Sequence, residues 1–146
     1  MENNTWVLIA NASQARIYSL CKVLFLQTGN HKTLTLEKEC EHLESRKKGK
    51  DLLADKPSRL KHNTVQVPNP KEHEAERFAI ELAGALDHAR KDNQYRELII
   101  MAPPTFLGLL KKHLTGDMHK KVSLMIEKDY TTHNEKQLVT DLESHL

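Results

Sequence analysis

The first part of the chain is a series of short apolar runs with the spacing of β-strands. Trp6–Ala10 is a continuous apolar run, and a second run, Ala15–Leu20, begins after the short turn Asn11–Ser13. A connection this short returns the chain antiparallel, so the two runs predict a hairpin. After the turn signal Thr28–Asn30, residues Thr33–Glu37 alternate apolar and polar, which is typical of a half-buried strand. We therefore predict three strands in an antiparallel meander.

A long amphipathic helix is predicted next. Asn69 and Pro70 supply an N-cap and a proline at the first helical position. Glu72 and Glu74 lie in the first turn, where the helix dipole favours acidic side chains. Apolar residues then recur at spacings of three and four and form one stripe that ends near Lys91. These residues are Ala75, Phe78, Ala79, Leu82, Ala83, Leu86 and Ala89.

The last third of the chain alternates between strands and helices. Glu97–Ala102 predicts a strand buried on both faces, as in a parallel sheet, and Val122–Ile126 predicts the last strand. Between them, Pro103-Pro104 opens a helix, Gly108 allows it to approach its neighbour, and Gly116 ends it. Its inward-facing residues are Phe106, Leu107, Leu110 and Leu114.

The final helix is predicted from a capping signal. Thr132–Glu135 has the Thr-x-x-Glu spacing of a capping box, and it precedes Leu138, Val139 and Leu142. The element order is then β-β-β-α-β-α-β-α. This order predicts an α/β fold in which a mixed five-stranded sheet carries helices packed on its faces.

Length and composition indicate one domain over residues 1–146, with one hydrophobic core. Cys21 and Cys40 fall in predicted strands and form no Cys-x-x-Cys pair, so we interpret both as apolar fillers. The chain shows no signal-peptide pattern and no apolar run of the ~20 residues that span a bilayer. We expect a cytoplasmic protein that needs no membrane, metal or cofactor, and the oligomeric state is left open.

Positive charge is concentrated in one segment. Residues 44–63 contain seven basic and three acidic side chains, a net +4 (seven minus three), while the whole chain carries +2. The surrounding region lacks periodicity, so we predict a basic flexible loop at 45–66. A structureless loop longer than ~15 residues is uncommon in a compact domain unless it is functional or disordered. The segment is therefore a candidate phosphate-binding arm, and a solvated loop kept soluble by its charge is the alternative.

Several short motifs, in this order and spacing, resemble the bacterial family of host attachment proteins, also called proteins required for attachment to host cells. The resemblance covers nearly the whole chain. The motifs are Trp6–Asn11, Ala15–Ile17, Ser45-Arg46, Asp51-Leu52, Asp55–Pro57, His73–Ala79, Ala102–Pro104, Leu107-Gly108 and Lys128-Asp129. One departure is Ser58, which stands where the family pattern has glycine.

The resemblance implies a fold similar to the middle domain of archaeal and eukaryotic peptide release factors and of Pelota, which has an RNase H-like arrangement. In release factors a Gly-Gly-Gln loop precedes a helix that resembles Arg77–Ala79. Aligned on those residues, Lys71, Glu72 and His73 stand where Gly, Gly and Gln would be. The glycines let the backbone approach the ester, and Lys71 and Glu72 cannot repeat that geometry. We therefore do not expect peptidyl-tRNA hydrolysis.

The candidate site residues are mainly basic. Cationic side chains of this kind neutralise phosphates and make binding salt-dependent. The segment lacks the interleaved aromatic residues that stack unpaired bases, which favours recognition of the RNA backbone or shape. The candidates are Arg46, Lys47, Lys48, Lys50, Arg59, Lys61 and Arg77. Asp51 and Asp55, four apart, are interpreted as their salt-bridge partners.

Catalytic candidates are few. His73 near a helix N-terminus is the candidate general base, although an exposed first-turn histidine is an equally ordinary interpretation. The histidines form no pattern that brings two imidazoles to one metal. The predicted strands carry none of the carboxylates that an RNase H-type nuclease needs, and no Gly-x-Ser-x-Gly elbow is present.

The sequence thus favours a non-enzymatic module that interacts with RNA or the ribosome. Two alternatives stay open. One is an intracellular factor that influences host attachment indirectly, through a protein partner. The other is a hydrolase of an RNA-linked ester with His73 as base, which requires an oxyanion hole that the sequence does not reveal.

Overall fold

A computed structural model describes residues 3–27, 34–41 and 70–146. The elements in chain order are β1 (Thr5–Ala10), β2 (Gln14–Leu20), α1 (Lys22–Gln27), β3 (Thr35–Glu41), α2 (Pro70–Lys91), β4 (Glu97–Ala102), α3 (Pro104–His113), α4 (Gly116–Lys121), β5 (Val122–Glu127) and α5 (Glu135–His145). The predicted turn Thr28–Asn30, the N-cap Asn69 and the loop at 45–66 lie outside the described residues.

The described strands form a five-stranded sheet with the order β3-β2-β1-β4-β5. β1 pairs antiparallel with β2, and β2 pairs antiparallel with β3. β4 pairs parallel with both β1 and β5. The predicted α/β class and the mixed five-stranded sheet are confirmed. The RNase H-like arrangement implied by the resemblance stays a prediction.

Apolar cores cover both faces of the sheet. Trp6 and Leu8 of β1 pack in a core with α2, α3 and α4, whereas Val7 and Ile9 pack in a core with Phe25 of α1 and with α5. Successive side chains of a strand point to opposite faces, so a strand covered on both sides is apolar throughout. β1 and β4 meet this description, which confirms that helices pack on the sheet faces.

β3 differs from its prediction. It begins at Thr35 rather than Thr33 and runs to Glu41, and its side chains are almost all exposed. Leu34 is buried just before the strand, but Leu36 is 49% exposed. β3 lies at the edge of the sheet. Its alternation of apolar and polar residues therefore does not produce one buried face. Cys40 lies in β3, whereas Cys21 lies between β2 and α1 and not in a strand.

Two predicted helix signals are shifted. α3 ends at His113, and Gly116 begins α4 instead of ending α3. The N-cap of α4 is Thr115, whose side chain accepts a hydrogen bond from the Met118 amide at 3.2 Å. The prediction overlooked this cap because glycine suits a helix end more often than a helix start.

α5 has its capping box two residues later than predicted. The side chain of Asn134 accepts a bond from the Gln137 amide, and the Gln137 side chain accepts one from the Asn134 amide. Asn is at least as good an N-cap as Thr, so Asn134 displaces Thr132. Gly108 is exposed, and a Cβ built there would meet nothing within 4 Å, so close helix approach does not require glycine at this position.

Candidate functional site

A cleft of about 290 Å³ lies where the parallel strands β1 and β4 end and where α3 begins, beside Ala75 in the second turn of α2. Chain order in the sheet reverses between β1 and β4, and ligands of open α/β sheets bind outside the carboxyl ends of strands at such a point. The volume is near the lower end of the roughly 300–1,000 Å³ of small-molecule pockets. The lining residues are Asn11, Ala12, Ser13, Ala75, Pro103, Thr105, Phe106 and Leu109.

Asn11 fixes the wall of the cleft that follows β1. Its Oδ1 accepts hydrogen bonds from the amides of Ser13 at 2.8 Å and Gln14 at 3.0 Å. Its Nδ2 donates to Asp129 Oδ2 at 3.2 Å and to Thr131 Oγ1 at 3.1 Å. These hydrogen bonds connect the turn between β1 and β2 to residues 129–131, which follow β5.

Asp129 is the acceptor at the centre of this polar network. Its Oδ1 accepts from the Thr131 amide at 2.9 Å and from the Thr131 hydroxyl at 2.6 Å. Partial burial alone would raise the pKa of Asp129, but the bonds from Thr131 and Asn11 stabilise the carboxylate, and the pKa lies below its usual value. The carboxylate is therefore ionised wherever the protein is near neutral pH.

Arg16 holds the same chain segment from the side of β2. Its Nη2 donates to the Thr131 carbonyl at 2.8 Å and to the His133 carbonyl at 3.0 Å. His133 Nδ1 in turn lies 2.7 Å from Asp141 Oδ2 of α5. The network therefore fixes the carboxyl edge of the sheet next to the cleft.

The start of α3 forms the opposite wall of the cleft. Pro103 is its N-cap and provides no side-chain hydrogen bond, and Pro104 has no amide hydrogen. Thr105 is exposed at this end, and the positive end of the helix dipole faces the same edge. The cleft thus combines an apolar floor that includes Phe106 with a polar, weakly electropositive rim.

Two of the predicted site residues lie on the first turns of α2, beside the cleft. Arg77 Nη1 donates to Glu74 Oε1 at 3.1 Å, with its side chain 56% exposed and that of Glu74 buried. His73 is exposed and lies four residues before Arg77, on the same side of the helix. His73 and Arg77 therefore share one face of α2, and the role of His73 as a base stays a prediction.

The other predicted site residues, Arg46, Lys47, Lys48, Lys50, Arg59 and Lys61, lie outside the described residues. The described residues on either side of them do have defined positions. Glu41 pairs with Gln14, next to the cleft-lining turn, and Pro70 lies five residues before Ala75 of the cleft. Glu41, the last described residue before the segment that carries these charges, therefore lies near the cleft.

Sequence reasoning assigned no role to the network around Asp129. Asn11, Arg16 and Asp129 did appear among the motifs of the family resemblance, and a polar residue directly after a buried strand was the available signal. Asn11 and Asp129 are 118 residues apart in the sequence, so motif spacing could not reveal their contact. Within residues 3–27, 34–41 and 70–146, no group of three His, Cys, Asp or Glu side chains is placed to hold a metal ion.

Comparison with protein families identifies a match over most of the chain. The family described as "Protein required for attachment to host cells" matches residues 6–142. The uncharacterized protein RP470 of Rickettsia prowazekii (strain Madrid E) is 35% identical over 105 residues, which cover 69% of this chain and 67% of that protein. Among the helices of the described chain, none is both long and apolar enough to cross a membrane.

The fold is similar to that of part of an archaeal translation termination factor, aRF1, with a TM-score of 0.51 and 14% identity. The likeness covers 99% of this chain and 39% of that protein. A second similar structure is Saccharomyces cerevisiae Dom34, a translation termination-like factor, with a TM-score of 0.47, 10% identity and coverage of 99% and 35%. This chain therefore spans less than half the length of the solved structures it matches.

Proposed function

We propose that this chain, which belongs to the family of proteins required for attachment to host cells, is an RNA-binding module that engages RNA or the ribosome without catalysing a reaction. The contacts are made by Arg46, Lys47, Lys48, Lys50, Arg59, Lys61 and Arg77. Under this proposal any effect on attachment to host cells is indirect.

One observation carries the proposal: the excess positive charge of the chain is concentrated in one segment. Glu41, which ends β3 before that segment, pairs with Gln14, next to the turn that lines the cleft. Residues 44–63 carry a net +4 (seven minus three), more than the +2 of the entire chain. Lysine and arginine concentrated in one segment attract a polyanion.

The described side of the cleft is suited to the same partner. α3 begins there, so its N-terminus adds positive potential. Arg77 is largely exposed, and its bond to the buried Glu74 restricts the guanidinium to the surface beside the cleft. An exposed, positioned guanidinium binds phosphate oxygens through two parallel hydrogen bonds.

The lack of a Gly-Gly-Gln motif supports a function other than peptidyl-tRNA hydrolysis. Lys71, Glu72 and His73 occupy those positions, and α2 already includes them. The side chains of Lys71 and Glu72 stand where glycines would let the backbone approach the ester and donate an amide to the developing oxyanion. The likeness to a translation termination factor supports a partner in translation, but fold alone does not transfer function.

Binding to purified ribosomes and to total RNA across a salt series tests the proposal. We expect measurable binding at low salt and a log-log slope of about −0.7 for each phosphate contact with single strands. A variant with Arg46→Gln, Lys47→Gln, Lys48→Gln and Arg59→Gln should lose most of the binding and have a slope shallower by about 3.

The matched control removes the same number of charges elsewhere. Lys38, Lys91, Arg96 and Lys136 are exposed on other elements, and their replacement by Gln should leave the slope unchanged. Equal losses in the two variants would indicate a non-specific effect of net charge. No binding by the wild-type protein at low salt would contradict the proposal and favour a protein partner.

A further inference from the structure

The last turns of α3 and α4 carry a second concentration of positive charge. Residues 111–121 contain four lysines and one aspartate, a net +3 (four minus one) before any histidine is counted. We call this the α3–α4 basic surface, and it consists of Lys111, Lys112, His113, His119, Lys120 and Lys121.

Packing of the two helices turns these side chains outward. Leu110 and Leu114 at the end of α3 and Met118 in α4 are buried in the core between the helices and the sheet. The lysines and histidines between them are left at the surface, and Lys111, Lys112, His119 and Lys120 are exposed. Burial of Leu110, Leu114 and Met118 thus leaves the basic side chains of two consecutive helices facing solvent.

Acidic neighbours neutralise a part of this surface. Glu76 Oε2 lies 3.2 Å from Lys112 Nζ and 3.0 Å from His113 Nε2. Asp117 is 4.0 Å from Arg90. Within the described chain, Lys111, Lys120 and Lys121 have no ion-pair partner. Basic residues at helix C-termini are favoured by the helix dipole, but this effect is small and does not require four lysines.

The surface continues directly from the proposed RNA site. Glu76, which contacts Lys112 and His113, lies between Ala75 of the cleft and Arg77 in the sequence of α2. α2 and α3 also pack together through Phe78 and Phe106, whose ring centroids are 5.9 Å apart. Cationic groups therefore extend from the first turns of α2 across the end of α3 to α4.

We infer that the α3–α4 basic surface is a second phosphate-binding surface, which lengthens the RNA contact that begins at the cleft. The inference rests on the proposed function and names a further part of the same interface. Lys111, Lys120 and Lys121 bind phosphates, and Glu76 weakens the contact by occupying Lys112 and His113.

The composition of the surface favours a nucleic acid over an anionic membrane. Helices that lie on a membrane place large apolar side chains beside their basic ones. The exposed large apolar residues of the described chain are Val23, Leu26, Leu36 and Ile80, none of which belongs to α3 or α4. A lysine surface without exposed large apolar side chains fits a phosphate backbone.

Glu76 provides a test that loss of folding cannot imitate. Hydrogen bonds from His113 and Lys112 hold the pKa of Glu76 below its usual value, so it is a carboxylate at neutral pH. Glu76→Gln removes the negative charge and releases Lys112 for phosphate. Binding to RNA should become tighter, roughly fivefold at 0.1 M salt if one phosphate contact is gained.

The closing experiment compares four variants with the wild type in the same salt series on total RNA. Lys111→Gln, Lys120→Gln and Lys121→Gln together should make the slope shallower by about 2, whereas Lys→Arg at the same positions should keep it. The control triple Lys38→Gln, Arg96→Gln and Lys136→Gln carries the same net charge and should behave as wild type. Glu76→Gln should bind more tightly.

Each other outcome overturns a defined statement. If the wild type binds and the basic-segment variant does not, but the α3–α4 triple binds normally, the inference is wrong and the proposed function stands. If no RNA binds to the wild type, both are wrong. If vesicles of phosphatidylcholine and phosphatidylserine bind through the three lysines while RNA binding is unchanged, the surface is a membrane contact and the inference is wrong.

Discussion

Replacing Ile100 by alanine is expected to lower the free energy of unfolding by roughly 2–5 kcal/mol. Ile100 lies in the centre of β4 and is completely buried in the core under α2 and α3. The substitution removes three side-chain carbons and leaves a cavity in a strand that has neighbours on both sides, β1 and β5. A central strand relaxes little, so most of the cavity cost should persist.

Urea unfolding of Ile100→Ala measures this effect, and Ile80→Ala is its matched control. Ile80 lies on α2 with 48% of its surface exposed, so the same chemical change should cost less than about 1 kcal/mol there. The m-value should be unchanged in both variants if each affects stability and not compactness. Equal losses at the two positions would contradict the packing described for β4.

Replacing Asp129 by asparagine is expected to lower the free energy of unfolding by roughly 1–2 kcal/mol at pH 7. The variant keeps the size of the side chain but loses the charge and one of the acceptor oxygens that serve Thr131 and Asn11. The residue is partly exposed, so water replaces some of the lost bonds, and the expected loss is at the low end for a charged acceptor.

The loss should depend on pH with a defined sign. The pKa of Asp129 in the folded protein lies below its unfolded value of about 3.9, because bonds from Thr131 and Asn11 outweigh the effect of burial. A depressed carboxyl pKa contributes stability that is present above the unfolded pKa and is lost as pH falls through the folded pKa. The difference in the free energy of unfolding between wild type and Asp129→Asn should therefore be largest at pH 7. It should begin to shrink below about pH 4 and vanish below the folded pKa.

Glu127→Gln is the control for this prediction. Glu127 ends β5 two residues before Asp129 and is exposed, and its replacement should change stability by less than about 0.5 kcal/mol at either pH. The measurement is urea unfolding of the three proteins at several pH values. A difference for Asp129→Asn that persists unchanged in acid would show that shape, and not charge, makes the contribution.

The elements with a strong apolar pattern were predictable from the sequence, whereas the edge strand β3 and the short helix α1 were not. β1 and β4 are continuous apolar runs and α2 carries a long apolar stripe, and their predicted bounds agree with the structure to within about a residue. β3 lies at the sheet edge, so its exposure depends on what covers it and not on its own alternation. α1 is a run as apolar as a strand, and no pattern marks it as a helix.

The family was readable from the sequence, whereas the geometry of the site was not. The motifs that resemble host attachment proteins are confirmed by the match over residues 6–142. The contact of Asn11 with Asp129 joins the two ends of the chain and depends on which strands become neighbours. Likewise, the whole-chain charge balance concealed the α3–α4 basic surface, because acidic residues elsewhere offset its +3, four minus one.

Ultraviolet cross-linking of the wild-type protein to RNA, followed by identification of the linked peptides, tests the central claim most directly. We predict cross-links in residues 42–69 and in the first turns of α2 around His73 and Arg77. Cross-links confined to distant elements such as β3 or α5, or none under conditions in which a known RNA-binding protein is linked, would contradict it.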